Sequence, residues 1–449
     1  EVHTMFHHQL KTAFNTAIEK VSSHISSFVK KPGRDLSRIR KLPASLLLSY
    51  LVSQGSSSTC CEVLDFFRLN ADAPSASAFN QQKAKLKPEA MEELFNEFNR
   101  SVSSISSTDN NKKFRTIAAD GSTVSFFCRP AQDTKAYFVS EGHSAKGFFS
   151  IHINAFYDLD TNTYSDILLQ PVHNKDEFAA FCSLVDSHTL LPGTSDIFIG
   201  DRGYCSYNNM AHVIARNQYF LFRTKDIHRK GLVGNFDYPD SDSFDIAVNV
   251  TLTRSHKKSI PIPDGSYRRF VDAATSFDFI EYGSTDTYQL SFRVVRFPLS
   301  EDSFECVVTN LPSDDFPTEK IKQLYNSRWA IETSFRKLKY TIGLSNFHSR
   351  KPEFIKLEIW AKLIAYNATE LLIHHAVVEK HDTKYPYKVN FTKAAHICRI
   401  YLRLTTEIDS IEVMPLLLKE LIPVRDGRQF KRLQTAHFRK PKYFCYRAA

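Results

Sequence analysis

Two aspartates, Asp120 and Asp201, each close a short apolar run, 114–119 and 196–200, and a third acid, Glu332, lies on a later helical stretch. Over Ile321–Ile342, a step of ~100° per residue puts Tyr325, Arg328, Arg336 and Lys339 within about 40° of Glu332. Leu324, Ile331, Phe335, Leu338 and Ile342 gather on an adjacent face suited to dock on a core. Three carboxylates from separate elements can bind two divalent cations through oxygen and leave positions for phosphate and water. Arginines and lysines one and two turns away can grip the phosphates on either side of a scissile bond. The plainer reading is a solvated helix face held by the i,i+4 pairs Arg328–Glu332 and Glu332–Arg336.

The elements that must position these residues follow from the periodicity. Residues 1–112 read as helical, with a basic run (Lys30, Lys31, Arg34, Arg38, Arg40, Lys41), an apolar helix around Leu46–Val52 and a polar linker ending at Lys112. A short helix capped by Ser75 carries Gln81, Lys83 and Lys85, and another runs over Pro88–Phe98. Amide and basic side chains on short helices suit reading of a DNA groove, and equally suit a polar surface. From 113 to 226 strands alternate with helices: strands at Phe114–Ala119, Gly147–Tyr157, Tyr164–Leu169, Asp196–Ile199 and Tyr219–Arg223, and helices at Asn174–His188 and Tyr207–Arg216. Phe178, Phe181, Leu184 and Val185 are the inward residues of the first of these helices. Strand, helix, strand implies parallel pairing, where ligand chemistry gathers at the carboxyl ends of strands. Residues 227–316 form a β-rich insertion, with stretches such as Phe277–Tyr282, Tyr288–Phe297 and Phe304–Thr309. Residues 317–400 return to helices, and 401–449 form a helical region with a basic tail rich in aromatics.

Composition is ordinary for a globular chain of 449 residues, 42% hydrophobic and 24% charged, with a formal net charge of +9. That excess suits a polyanionic partner without demanding one. The eight cysteines have no paired spacing, so neither a zinc motif nor a disulfide framework is expected, and a reducing cytoplasmic setting is. Glu1-Val2-His3 opens no secretory leader, and no apolar run is long enough for a membrane span. No serine or cysteine nucleophile motif is present. His143, Lys146 and His152 are read as structural, Tyr204 and Trp329 as packed, and Arg202 as either a phosphate contact or a carboxylate partner.

The run from Tyr325 through Arg328 and Glu332 to Lys339 resembles the Tyr-(2)-Arg-(3)-Glu-(6)-Lys signature of DDE transposases of bacterial insertion sequences, in the IS-four family. Ala119-Asp120-Gly121-Ser122 and Ile199-Gly200-Asp201-Arg202-Gly203-Tyr204 resemble that family's two aspartate motifs, in the same order. The resemblance covers roughly residues 75 to 445. It implies an α/β, ribonuclease-H-like catalytic core (113–226 and 317–400), interrupted by a β-subdomain (227–316) before the glutamate helix; the residues before it add an expected helical DNA-binding domain (1–112). It makes Asp120, Asp201 and Glu332 the catalytic metal ligands, with two Mg²⁺ ions as cofactor and Mn²⁺ as a substitute. Tyr325, Arg328 and Lys339 become contacts to the DNA end; apart from the resemblance, Arg336 on the same helix face and Gln81, Lys83 and Lys85 of the N-terminal helices are further expected DNA contacts. The implied partners are double-stranded DNA and a second copy of the chain, and the implied activity is cut-and-paste transposition in a bacterial cytoplasm. Two other readings stand beside it: a transposon-derived DNA-binding protein without catalysis, and a nuclease of the same fold that cleaves without joining.

Overall fold

In the computed structural model, which describes residues 2–38, 41–106, 112–129, 131–141, 144–228, 231–300, 303–376, 378, 385–425 and 445–446, the alternating segments resolve into one ten-stranded sheet with helices on both faces. Arg40, the end of the polar linker, His143, the side chain of Lys146 and most of the basic tail lie outside the described residues. Five helices come first: α1 (Val2–Ser23), α2 (Ala44–Ser53), α3 (Thr59–Phe66), α4 (Ala76–Lys83) and α5 (Glu89–Ser106). Ser75 caps α4, its side-chain oxygen accepting from the Ala78 amide at 3.2 Å. Then follow β1 (Phe114–Phe126), β2 (Phe138–Glu141), β3 (Ser144–Asp158), β4 (Thr163–Pro171), α6 (Glu177–Ser187), β5 (Ser195–Gly200), α7 (Tyr207–Ala215) and β6 (Tyr219–Thr224). Strands β7 (Phe244–Thr253), β8 (Ser266–Phe270), β9 (Thr287–Ser300) and β10 (Ser303–Thr309) lead to α8 (Thr318–Ser327), α9 (Trp329–Tyr340), α10 (Pro352–His374), α11 (Phe391–Tyr401) and α12 (Val413–Leu418). None of the described helices is long and apolar enough to cross a membrane.

The sheet order is β2-β3-β1-β5-β6-β10-β9-β7-β8, with β4 also paired to β3. β1, β5 and β6 are mutually parallel, and their neighbours β3 and β10 run antiparallel to them. Because side chains alternate along a strand, Ile117, Ala119, Phe198, Phe220 and Phe222 face α6 and α7, meeting Phe181, Leu184, Met210 and Val213. On the opposite face, Ala118, Val124, Ile153, Ala155 and Tyr157 lie under α9 and α10, while Ile197, Ile199 and Leu221 lie under α8.

The stretch 227–316 is β-rich but does not stand apart. β10 pairs with β6, so β7–β10 lengthen the central sheet. Phe277–Tyr282 forms turns, not a strand; Phe277 and Ile280 are buried by packing beneath it. β1 does not end at Ala119: Gly121-Ser122 resembles a turn in sequence, yet β3 continues to pair with it as far as Phe126. Phe178, in the first turn of α6, is exposed, not turned inward. The long helix expected over 321–342 is interrupted at Arg328, where α8 hands over to α9.

The N-terminal helices share one core with the C-terminal ones, so residue 112 marks a change of secondary structure and not a gap in packing. Lys11, buried on α1, donates to the carbonyls of Tyr401 and Arg403 at 2.7 and 2.5 Å. At the centre of this contact Glu358 of α10 is enclosed. Its carboxylate accepts from the His348 amide at 2.9 Å and lies 3.7 Å from the Lys83 ammonium. His348 Nδ1 is 3.3 Å from Glu358, and Nε2 is 3.4 Å from Glu62 of α3. Burial works against both charges, yet the acids hold His348 up at about 9, while His348 and Lys83 hold Glu358 down at about 2. The histidine's contribution to stability is present below its ordinary value of 6.5 and is lost as pH rises through 9. The glutamate's is present above 4.5 and is lost as pH falls through 2. Glu358→Gln is expected to cost about 3–5 kcal/mol at pH 6, because it strands buried cations. Urea unfolding at pH 6 measures this, and the difference between variant and parent should shrink above pH 9.

Candidate active site

The parallel register of β1 and β5 ends at Ala119–Gly200, so Asp120 and Asp201 occupy the next level of adjacent strands. By alternation each points to the face covered by α8 and α9: Asp120 follows Ala118, and Asp201 follows Ile197 and Ile199. The Gly121 amide donates to Asp120 Oδ1 at 2.8 Å, and the Gly203 amide donates to Asp201 Oδ1 at 2.8 Å. Asp201 also caps the turn that leads towards α7.

Helix α9 is seated on this face by Ile331, Phe335 and Leu338 and by a 2.8 Å hydrogen bond between the Ser334 and Tyr164 hydroxyls. That seat brings Glu332 into the field of Asp120, which also feels Asp201. Burial, with smaller repulsions from Asp201 and Glu332, pushes the Asp120 carboxyl up to about 6 against the pull of the Gly121 amide and Arg328. Arg328 sits at the α8–α9 joint and is only 5% exposed. It donates to Glu332 Oε1 at 2.8 Å and lies over the rings of Tyr325 and Trp329. The Lys339 ammonium, lowered by burial, is attracted by Asp120. Glu305 of β10, raised by burial, is offset by Arg223, Arg328 and Arg202, which adds cations beside Asp201.

The structure thus brings together Asp120, Asp201, Glu332, Arg328 and Lys339. It separates others from them. Tyr325 does not line up on the open face: it is 2% exposed, packed among Ile199, Leu221, Phe316 and Ile321. Helices α8 and α9 sit over two separate cores, so no single helical face runs from Tyr325 to Lys339. Trp329, expected to pack, is 56% exposed and carries the Arg328 guanidinium on its face. Arg336 and Arg202 are exposed, and Tyr204 is buried against Phe181. On α4, Gln81 is exposed; just after the helix, Lys85 is half-buried and bonded to Gln82 at 2.8 Å. Lys83 is enclosed and spends its ammonium on Ser349 and Glu358, so it is not placed to meet DNA.

Sequence reading missed Glu177, at the start of α6. His152, 2% exposed, lies 3.1 Å from Glu177, and Lys175 lies 2.8 Å from it. Those partners, the histidine first, hold Glu177 down at about 2. A Cβ on Gly121 would come within 2.6 Å of His152 and 2.9 Å of Glu177, so glycine here admits a fourth carboxylate behind Asp120. The available signal was an acid in the first turn of a helix that packs on the sheet.

A buried carboxylate whose value is raised costs the fold stability as pH climbs from about 4 through 6, and the cost then persists. Asp120→Asn is therefore expected to stabilise the chelator-treated protein at pH 8, by about 1–3 kcal/mol. Differential scanning calorimetry in chelator measures this; a destabilised variant would contradict the strained-carboxylate account.

A family model described as the transposase DDE domain matches residues 111–368. The transposase InsG for insertion sequence element IS4 of Escherichia coli (strain K12) is 27% identical over 130 residues, 26% of this chain and 28% of that protein. The transposase for insertion sequence element IS231F of Bacillus thuringiensis subsp. israelensis is 25% identical over 240 residues, 48% of each chain. This chain thus spans less than half the length of either relative. The solved piggyBac transposase synaptic complex with hairpin DNA covers 86% of this chain and 77% of its own, with a TM-score of 0.41 at 9% identity, a likeness too slight to carry an argument. The family match covers more than half of the chain and contains all three acidic motifs: the protein belongs to the DDE transposases of insertion sequences.

Proposed function

We propose that this chain binds the ends of an insertion sequence, cleaves them and joins them to target DNA. The observation that carries the reading is the convergence of Asp120, Asp201 and Glu332 on one face, with Arg328 and Lys339 beside them. The order β4-β3-β1-β5-β6, with three parallel strands and an antiparallel flank, is the arrangement expected of a ribonuclease-H-like core and supports that finer fold reading. Under it, β7–β10 form the insertion that precedes the glutamate helix.

The donor set fits Mg²⁺: three carboxylates, hard oxygen ligands, with one raised to about 6 by burial and by its acidic neighbours. Asp120, Asp201 and Glu332 would hold two ions, which supply activation of the attacking hydroxyl and neutralisation of charge on the phosphate. The protein's own part is positional. The Gly121 and Gly203 amides hold one oxygen of each aspartate, leaving the other for a ligand. Ser334 and Tyr164 fix the turn of α9 that carries Glu332. Arg328 is held between Tyr325 and Trp329, ready to exchange its Glu332 partner for a phosphate oxygen, and Tyr325 acts through it from the core. Lys339 and the exposed Arg336 extend the same rail along α9. Gln81, Lys85 and the exposed run Lys31, Arg34 and Arg38 offer a second contact with duplex DNA, and a dimer would hold two ends at once.

Asp120→Asn, Asp201→Asn and Glu332→Gln should each abolish end cleavage while leaving DNA retention in a gel shift nearly unchanged, because affinity rests on phosphate contacts elsewhere. A variant that still cleaves removes its residue from the site. A labelled-end assay in Mg²⁺ separates the two rivals: a DNA-binding descendant yields no product, and a nuclease yields cut ends without joined ones.

Arg328→Ala and Lys339→Ala should each slow single-turnover cleavage roughly tenfold to hundredfold, the equivalent of about 1–3 kcal/mol for a charge-assisted contact. If the cations serve only to balance Glu332 and Asp120, the variants will melt lower and cleave at the parental rate.

A further inference from the structure

Away from the acidic triad, three donors of different chemistry meet where α6, α7 and the turn after β8 come together. Cys182 of α6, His212 of α7 and Asp278 of the turn each present a ligand atom, and all three atoms lie within 4.8 Å of one another. His212 Nε2 is 2.9 Å from Asp278 Oδ2, and its Nδ1 is 2.9 Å from Asp186 Oδ1 on the next turn of α6. Asn208 donates to Asp278 Oδ2 at 2.9 Å and lies 3.6 Å from Cys182 Sγ; its own Oδ1 accepts from the Asp278 amide at 2.9 Å. The thiol donates to Asn209 Oδ1 at 3.3 Å.

We propose that Cys182, His212 and Asp278 form a zinc site that ties the insertion to the two helices flanking the Asp201 strand. Thiolate, imidazole and carboxylate together suit Zn²⁺ and not the hard ions suited to an all-carboxylate triad. A metal-bound histidine ordinarily donates its other ring nitrogen to a carboxylate, and Asp186 stands in that place for His212. Asn208 supplies the further hydrogen bonds that orient a thiolate and a carboxylate. Three protein ligands leave a fourth position for water. Burial and the two aspartates push the Cys182 thiol up to about 12, so without a cation it keeps its proton. Zinc binding releases that proton to solvent as the sulfur–metal bond forms. The competing account needs no metal: a protonated His212, raised by the same two aspartates, bridges them directly.

The purpose of such a site is mechanical. α7 begins a few residues after Asp201, and α6 begins with Glu177, so a link through Cys182 and His212 steadies both supports of the aspartate loop. The 277–280 turn packs Phe277 and Ile280 into the same core, and zinc would fix Asp278 between them. The proposal does not depend on the catalytic reading.

Cobalt distinguishes the two accounts, since Co²⁺ bound to a thiolate gives a charge-transfer absorption that carboxylate ligands do not. Stripped with chelator and reloaded with Zn²⁺, the full chain is expected to retain one equivalent through gel filtration, by elemental analysis. It should also show the thiolate band when titrated with Co²⁺. Cys182→Ala should lose the band and His212→Gln should weaken zinc binding at least tenfold. Asp201→Asn, in the triad, should leave both unchanged. Added Zn²⁺ should raise the melting temperature of the parent, a readout that needs no variant to fold. A parent that retains no zinc, or a cobalt band that persists in Cys182→Ala, overturns the proposal in favour of the hydrogen-bonded histidine.

Discussion

Parallel pairing between β1 and β5 stops at Ala119–Gly200, and the next residue on each strand is an aspartate. At a strand spacing of ~4.8 Å, two carboxylates on one face stand close enough to repel. Much else in the chain answers to that crowding. The Gly121 and Gly203 amides each hold one aspartate oxygen. Arg328 balances Glu332 from the joint between α8 and α9, and Lys339 offsets Asp120 from about three turns further along. A site charged this way is poor for stability and good for gathering cations and phosphates, which is the exchange expected where function opposes folding.

Stability must therefore come from elsewhere, and the platform under α9 supplies it. Helix α10 is buried along nearly its whole length, between the N-terminal helices and the sheet. Its polar residues are paired inside: Asn367 bonds Asn99 and the backbone of Tyr164, and Glu370 bonds Lys337 and Tyr366. Tyr164 is also the partner of Ser334, so one strand residue links α10 to the helix that bears Glu332. Segments far apart in sequence hold each other in register across a common interior.

Much of this was legible in the residues. Alternating strands and helices located β1, β3–β6, α6 and α7, and the two aspartates stood out because each follows an apolar run. The spacing within 325–339 singled out Glu332, Arg328 and Lys339. What escaped was set by tertiary contact. The first strand was expected to end at Ala119, and only pairing with β3 carries it on to Phe126. Tyr325 and Lys83 carry polar groups that sequence places at the surface, and only the second core under α8 and the enclosed Glu358 draw them inward. Cys182, His212 and Asp278 lie too far apart along the chain for any spacing rule, and Glu177 is one acid among several in first helical turns until the fold shows Gly121 making room for it.

The insertion joins the sheet at β6, on the side away from β1, and its outermost strand is three strands beyond β10. Growth at that rim leaves the β1–β5 pairing undisturbed, since an added hairpin would extend the sheet without crossing it. The length and surface chemistry of this flank can thus change without moving the strands that carry Asp120 and Asp201. The sheet separates a rim free to be remodelled from an interior that is not.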